Sequence, residues 1–147
     1  MSTFLQLSLF TPQPKPMEKL NTVLIVDDDF INNFLTERII KKMDIANNIK
    51  ILMNGHEGMT YLKEACLYDT TLCPELIFLD INMPVMDGFD FIEAFEHLPL
   101  AHKSKIVILT TSRHNRDIEK ISALGDFELV NKPLTQEKLL DCLAKVG

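Results

Sequence analysis

The sequence predicts one α/β domain built on an open, doubly wound sheet of five parallel strands. Short apolar runs alternate with longer segments in which apolar residues recur at helical spacing, and there are five of each. Four of the five strand segments are uniformly apolar, which is typical of parallel strands that helices cover on both faces. Right-handed crossovers between such strands place helices on both sides of the sheet.

The first half of the chain contains two predicted strands and two predicted helices. The first strand, residues 22–26, reads TVLIV and ends in three consecutive aspartates. A helix over residues 30–43 follows, and its apolar residues spread over a wider arc than a core-facing stripe needs. This surplus contributes either to a docking face or to the core, and the sequence leaves both open. A strand at 49–53, closed by Asn54-Gly55, and a helix that ends at about Tyr68 come next.

The second half repeats the alternation. The remaining strands are predicted at residues 76–79, 106–109 and 127–130, and the remaining helices at 89–98, at 115–124 and after Thr135. Pro99 and Gly125 end two of these helices, and Thr135 is the expected N-cap of the last one. The residues expected to face the core from the last two helices are Ile118, Ile121, Leu124, Leu139, Leu140, Leu143 and Val146.

Length and composition agree with a single globular domain. The chain has 147 residues, of which 46% are hydrophobic and 24% charged. Its net charge of −6 argues against a nucleic-acid partner, because phosphate binding favours a basic face. No apolar run approaches the length of about 18 residues that a membrane span needs, so no membrane partner is expected.

The first 20 residues are expected to be an extension, with the domain over residues 21–147. An apolar patch at residues 4–10 is followed by three prolines that interrupt regular structure, and no signal-peptide pattern is present. The extension is either an appendage that precedes a natural start at Met17 or a short docking arm. The arm would use Phe4, Leu5, Leu7, Leu9 and Phe10.

Three cysteines, Cys66, Cys73 and Cys142, are odd in number and include no CxxC pair. We interpret them as reduced thiols of a cytoplasmic protein, not as a disulfide framework or a zinc site.

Polar residues follow the predicted strands at the points where those strands end. Asp27, Asp28 and Asp29 follow the first strand and Asp80 follows the third, while Thr110 and Lys132 follow the fourth and fifth. In doubly wound folds, ligands bind beyond the carboxyl ends of the strands. The coincidence predicts a functional site at that edge of the sheet.

If the first and third strands are neighbours, Asp27, Asp28 and Asp80 converge. Two carboxylates about 4 Å apart repel each other by roughly 4 kcal/mol at an effective dielectric constant near 20, so a positive charge is needed between them. Mg²⁺ suits such hard oxygen ligands, and Lys132 adds a second positive charge. A carboxylate nucleophile, Mg²⁺, this lysine and the Thr110 hydroxyl suit phosphoryl transfer onto an aspartate. No glycine-rich phosphate loop is present, so no nucleotide site is expected.

Four motifs in this order resemble the receiver domain of two-component response regulators, over residues 21–146. They are LIVDDD at 24–29, LDINMPVMDG at 79–88, ILTTS at 108–112 and NKPLT at 131–135. The resemblance implies a flavodoxin-like (βα)5 fold with strand order 2-1-3-4-5. It also implies that Asp80 is the phosphoacceptor and that Asp27, Asp28, Asp80 and the Asn82 backbone carbonyl bind Mg²⁺.

The resemblance extends to further residues and to partners. It implies that Thr110 is the switch hydroxyl and that Lys132 contacts the phosphoryl group and precedes a cis bond to Pro133. It also implies a single-domain, chemotaxis-regulator-like protein, a phosphoacceptor and not a classical enzyme. Its phosphodonor would be a histidine kinase or a histidine phosphotransfer protein, and its output would be binding to an unidentified downstream protein.

Two positions depart from the family pattern. Leu129 stands where an aromatic switch residue is expected, and it offers neither a hydroxyl nor a ring edge. Phe127, two residues earlier on the same face of a strand, is a candidate substitute. Thr111 is larger than the usual residue at its position and is expected to narrow access to the phosphoryl group.

Two other interpretations compete with this one. The spacing Asp27-x-Asp29 after a buried strand also resembles haloacid dehalogenase phosphatases, although those enzymes need a late acidic pair where this chain has Lys132-Pro133. A pseudo-receiver that only binds proteins is the second, and the intact set of site residues argues against it.

Overall fold

A computed structural model describes residues 18–68, 71–99, 104–111 and 114–145. Within these residues, five strands alternate with five helices. The strands are β1 (Leu20–Val26), β2 (Ala46–Leu52), β3 (Leu76–Leu79), β4 (Lys105–Thr110) and β5 (Glu128–Asn131). The helices are α1 (Phe30–Met43), α2 (Gly55–Tyr68), α3 (Gly88–Glu96), α4 (Asn115–Leu124) and α5 (Gln136–Ala144).

The strands form one parallel sheet in the order β2-β1-β3-β4-β5. The predicted doubly wound, flavodoxin-like fold and its strand order are therefore confirmed. β1 and β3 are direct neighbours, and their last residues, Val26 and Leu79, are partners in the register. The residues that follow these strands consequently leave the sheet at the same level.

The core consists of two apolar clusters, one on each face of the sheet. Val23 and Ile25 belong to the first cluster, with residues of α1 and α5, whereas Leu24 and Val26 belong to the second, with residues of α2, α3 and α4. Alternate residues of a strand point to opposite faces, which is why a uniformly apolar strand supplies both clusters. The helices thus cover both faces, as the composition of the strands predicts.

The buried side of α1 is mostly polar, and its exposed side carries several large apolar residues. Its buried residues are Asn32, Asn33, Thr36 and Ile40. Its exposed side carries Phe30, Ile31, Phe34 and Leu35, of which the first two are 75% and 70% exposed. The surplus apolar surface predicted for this helix is therefore exposed in this chain and does not lie in the core.

Several helical residues predicted to be buried are exposed. Ile121 is the buried residue of α4, whereas Ile118 and Leu124 are about 40% exposed. In α5, Leu139 and Leu143 are buried but Leu140 is exposed. Both helices contact the sheet through narrow stripes, so neighbouring apolar positions lie outside the contact. Val146 lies outside the described residues.

The prediction that all cysteines are free thiols was wrong for two of them. Cys66, in the last turn of α2, and Cys73, just before β3, form a disulfide with their Cα atoms 4.5 Å apart. The chain returns to α2 at this point, where the Tyr61 hydroxyl donates to the Leu72 carbonyl over 2.7 Å. Counting cysteines and searching for CxxC pairs cannot detect a contact that depends on this reversal. Cys142 is free and buried, and burial raises the pKa of its thiol to about 11.

The predicted extension falls outside the described residues up to position 17, so the division at residue 20 stays a prediction, as does the docking arm. In the part of the chain that the structure describes, no helix combines the length and apolar character needed to cross a bilayer.

The disulfide predicts the number of thiols that react with Ellman's reagent. Protein prepared without reductant is expected to show no reactive thiol when native, because Cys142 is buried and its pKa is raised. It is expected to show one thiol after denaturation and three after denaturation with prior reduction. Cys142→Ser is the control and removes the single thiol of the denatured, unreduced protein. Three thiols without reduction would show that Cys66 and Cys73 are not bonded.

Candidate functional site

Three aspartates meet at the carboxyl edge of the sheet. Asp27 and Asp28 follow β1, Asp80 follows β3, and one carboxylate oxygen from each lies within 4.8 Å of the others. Asp27 and Asp80 are 2% and 5% exposed, whereas Asp28 is open to solvent. The convergence predicted from the strand ends is confirmed, and its cause is the pairing of β1 with β3. Asp29 lies outside this group and caps α1, since its side chain accepts a hydrogen bond from the Asn32 backbone N–H.

The Asp27 carboxylate is held by three donors. Its Oδ1 accepts the backbone N–H of Asp29 over 2.9 Å, and its Oδ2 accepts the Asn32 side-chain amide, also over 2.9 Å. The same Oδ2 lies 2.7 Å from the Lys132 ammonium. Asn33 donates instead to the backbone carbonyl of Asp27 over 2.8 Å.

Sequence reasoning missed Asn32 and Asn33. The available signal was their place in the helix, because two consecutive amides occupy positions that an ordinary amphipathic helix would fill with apolar residues. A buried amide needs a partner, so these two positions indicate a polar neighbour under the helix.

The Lys132 side chain contacts the aspartates that follow β1 and β3. Its ammonium is 2.7 Å from Asp27 Oδ2 and 3.6 Å from Asp80 Oδ2, and its side chain is almost fully buried. Its backbone N–H donates to the Thr110 carbonyl, and the bond to Pro133 is cis, as the resemblance implied. The lysine therefore supplies positive charge between two buried carboxylates that would otherwise repel each other.

Asp80 is in an unusual electrostatic environment. Burial, reinforced by the negative charge of Asp27, raises the pKa of Asp80 to about 6, although Lys132 and a hydrogen bond from the Asn82 backbone act in the opposite direction. Because desolvation penalises the charged form, a cation placed between these carboxylates would restore the ionised form. The backbone amide of Asn82 thus lies against Asp80. Binding of Mg²⁺ by the Asn82 backbone carbonyl stays a prediction.

The loop after β3 packs tightly beneath Asp80. Gly88 begins α3, and its backbone N–H donates to the Ile81 carbonyl. A Cβ atom at this position would lie 2.6 Å from Ile81 Cα and 2.8 Å from the Asp80 carbonyl oxygen. Asp87 and Asp90 form a capping box that starts the helix at this point. Glycine and the capping box together fix where the strand end turns away from the sheet.

The residues expected to take part in switching lie on the neighbouring strands. Thr110 is buried at the end of β4 and pairs with Asn131 of β5, while Thr111 is exposed. Leu129 and Phe127 are both half-buried and pack against the core cluster that contains α2, α3 and α4. Phe127 precedes β5 and is not part of the strand, although it packs against the same cluster as Leu129. A switching role for either residue stays a prediction.

The donor set fits a hard divalent cation. All three converging side chains offer carboxylate oxygen, and the exposed Asp28 leaves the group accessible from solvent. Soft ligands such as thiolates are absent from this group, which disfavours zinc. Three carboxylates near one ammonium also leave an excess of negative charge for a cation to neutralise.

Fold and site together define a flavodoxin-like α/β domain with an acidic, lysine-bridged site at the carboxyl edge of its sheet. The sequence profile of the response regulator receiver domain matches residues 23–144. The chain therefore belongs to the receiver-domain family of two-component signalling. Members of this family are signalling regulators and not classical enzymes, and this membership decides against the haloacid dehalogenase alternative.

Relatives and solved structures agree with this assignment. The response regulator Rcp1 of a Synechocystis species is 31% identical over 125 residues, which cover 84% of this chain and 82% of the relative. A two-component response regulator from Cytophaga hutchinsonii superposes with a TM-score of 0.75 at 34% identity, covering 88% of this chain and 98% of that one. A Saccharomyces cerevisiae complex of the histidine phosphotransfer protein Ypd1 with the Ssk1 receiver domain also matches. The TM-score is 0.70 at 25% identity, and the match covers 90% of this chain and 92% of that one.

Replacing Gly88 by alanine is expected to lower the free energy of unfolding by about 1–3 kcal/mol. The new Cβ would overlap backbone atoms of Ile81 and Asp80, which cannot rotate away as a flexible side chain can. Urea unfolding of both proteins measures the difference. Ser122→Ala, at an exposed position of α4, is the control and should change stability by less than about 0.5 kcal/mol. Equal stability of Gly88→Ala and the wild type would contradict this account of the loop.

Proposed function

We propose that this chain is a phosphoacceptor of a two-component phosphorelay, phosphorylated on Asp80 in a Mg²⁺-dependent reaction. The observation that carries the proposal is the convergence of Asp27, Asp28 and Asp80, with the buried Lys132 ammonium next to Asp27 and Asp80. The phosphodonor is a histidine kinase or a histidine phosphotransfer protein. The output is a protein–protein interaction with a downstream partner.

Asp80 is the nucleophile of the proposed reaction. A bond forms between its carboxylate oxygen and phosphorus while the phosphorus–nitrogen bond of the donor phosphohistidine breaks, and the imidazole leaves. The side chains of Asp27, Asp28 and Asp80 and the Asn82 carbonyl would hold Mg²⁺, which supplies positive charge to neutralise the phosphoryl oxygens. Hydrolysis of the acyl phosphate by water reverses the modification, so the domain catalyses both the gain and the loss of its own phosphoryl group.

Lys132 and Thr110 respond to the modification as donors to the phosphoryl group. A phosphoryl group adds about −1.5 to −2 charge at Asp80 together with strong acceptor oxygens. The Lys132 ammonium is 3.6 Å from Asp80 before modification, so a short movement away from Asp27 brings it to the phosphoryl group. The Thr110 hydroxyl is the second donor. Thr110 is the last residue of β4 and Lys132 follows β5, so their movement repacks the surface around β4, α4 and β5.

The exposed apolar side of α1 is the proposed docking face for the phosphodonor. The helix begins directly after the three aspartates, and its first turns expose Phe30, Ile31 and Phe34. Exposed apolar clusters of this kind mark protein–protein contacts. The similarity to a receiver domain solved with a histidine phosphotransfer protein supports a partner of that class.

A cytoplasmic location is part of the proposal and follows from the need to meet this phosphodonor. The disulfide between Cys66 and Cys73 is the observation that stands against this location, because such bonds form mainly in oxidising compartments. Alkylating thiols in intact cells before lysis tests the location, since a reducing compartment would leave both cysteines free to react.

Asp80→Asn is expected to abolish phosphorylation by a small donor such as phosphoramidate, because the amide oxygen is a poor nucleophile. Removing Mg²⁺ with EDTA should have the same effect on the wild-type protein. Intact-protein mass spectrometry detects the added phosphoryl group, and hydroxylamine distinguishes an acyl phosphate. Asp126→Asn is the matched control, because Asp126 is exposed and lies outside the acidic group. Phosphorylation that persists in Asp80→Asn would overturn the proposal, and a wild type that no donor modifies would favour the pseudo-receiver.

Phe34→Asp is expected to slow phosphotransfer from a phosphorylated histidine phosphotransfer protein by about tenfold or more, as for a buried aromatic anchor. Phosphorylation by phosphoramidate should be unchanged, since α1 docking is not needed for a small donor. Leu140→Asp, at an exposed apolar position of α5, is the control for the added charge. Equal slowing by both variants, or none by Phe34→Asp, would rule out α1 as the docking face.

A further inference from the structure

We infer that Asn32 positions the Asp27 carboxylate, and that it is the donor that keeps this carboxylate in place when the Lys132 ammonium moves away. This inference rests on the proposed function and adds a residue to its site. The observation behind the inference is that two donors share one carboxylate oxygen. Asn32 Nδ2 lies 2.9 Å and Lys132 Nζ lies 2.7 Å from Asp27 Oδ2.

The two donors respond differently to a cation. The Lys132 ammonium carries a full positive charge, so a divalent ion bound at the acidic group repels it, and a phosphoryl group on Asp80 attracts it. The Asn32 amide is neutral, so neither event displaces it. Asn32 can therefore hold Asp27 in the same orientation with and without the ion, which Lys132 cannot do.

The start of α1 fixes Asn32 in the required place. Asp29 is the N-cap of the helix, and its side chain accepts the Asn32 backbone N–H over 3.1 Å. The Asp29 backbone N–H in turn donates to Asp27 Oδ1 over 2.9 Å. Asp27, Asp29 and Asn32 thus form a closed loop of hydrogen bonds, and the side chain of Asn32, only 5% exposed, has little freedom to leave it.

The arrangement also limits how many positions Asp27 offers to a ligand. A carboxylate has about four acceptor positions, and the donors from Asp29, Asn32 and Lys132 occupy three of them. When Lys132 leaves, one further position becomes available while two donors still orient the group. An unrestrained carboxylate would have to lose rotamer freedom on binding the ion, which would weaken the affinity.

Thr36 provides a control within the same helix. It is a buried polar residue one turn after Asn32, and it lies outside the hydrogen bonds that hold Asp27. A purely structural role of the buried polar residues of α1 would affect Mg²⁺ binding alike in both variants. A positioning role confines the effect to Asn32.

The experiment compares Asn32→Leu and Thr36→Ala by calorimetric titration with Mg²⁺ alone. Leucine keeps the branched shape of asparagine and removes its hydrogen-bonding groups. Asn32→Leu is expected to raise the Mg²⁺ dissociation constant by about tenfold, as for loss of a group that orients a metal ligand. Thr36→Ala is expected to change it by less than about twofold, even if urea unfolding shows lower stability. Asn32→Ala replaces Asn32→Leu if the latter does not fold.

A second measurement requires no metal. The amide resonance of Asp29 reports the orientation of the Asp27 carboxylate, because its N–H donates to Asp27 Oδ1. In metal-free protein this resonance should shift in Asn32→Leu and stay near its wild-type position in Thr36→Ala. Unchanged Mg²⁺ affinity in folded Asn32→Leu, or an equal loss in both variants, would overturn the inference alone. Absence of Mg²⁺ binding by the wild type would overturn the proposed function as well.

Discussion

The structure depends on holding several like charges together at one edge of a mostly apolar sheet. Asp27 and Asp80 are both buried, and their repulsion is offset in part by the Lys132 ammonium that lies between them. Lys132 does not offset the repulsion fully, since burial and the negative charge of Asp27 still raise the pKa of Asp80 to about 6. In the proposed function, this excess of negative charge attracts Mg²⁺, which would keep the Asp80 carboxylate ionised and able to react.

The rest of the fold holds these charged groups close together. The pairing of Val26 with Leu79 brings the ends of β1 and β3 level, and both strands are fixed by core clusters on both faces of the sheet. Gly88 allows the chain after Asp80 to turn back against Ile81 without a clash. Lys132 is presented by a third element, the end of β5, next to a cis peptide bond. Displacing any one of these elements would separate groups that are useful only together.

α1 links the acidic group to the outside of the molecule. Near its first turns, the buried side carries Asn32 and Asn33, which bind Asp27, while the exposed side carries Phe30, Ile31 and Phe34. The polar residues are thus directed inward because the helix covers a charged site as well as a core. The apolar residues are directed outward, where a partner protein can bury them. This reversal explains why the helix contains more apolar residues than its contact with the sheet requires.

The sequence alone determined the fold class, the strand order and the convergence of Asp27, Asp28 and Asp80, because apolar strands and polar strand ends are local features and four motifs carry the family resemblance. It did not determine which apolar helical residues are buried, as Ile118 and Leu140 illustrate, because burial depends on how wide each helix contact is. It also could not detect the bond between Cys66 and Cys73 or the hydrogen bonds of Asn32 and Asn33. These contacts are set by how the loop after α2 folds back and how α1 is rotated against β1, and both are decided only when the elements pack together.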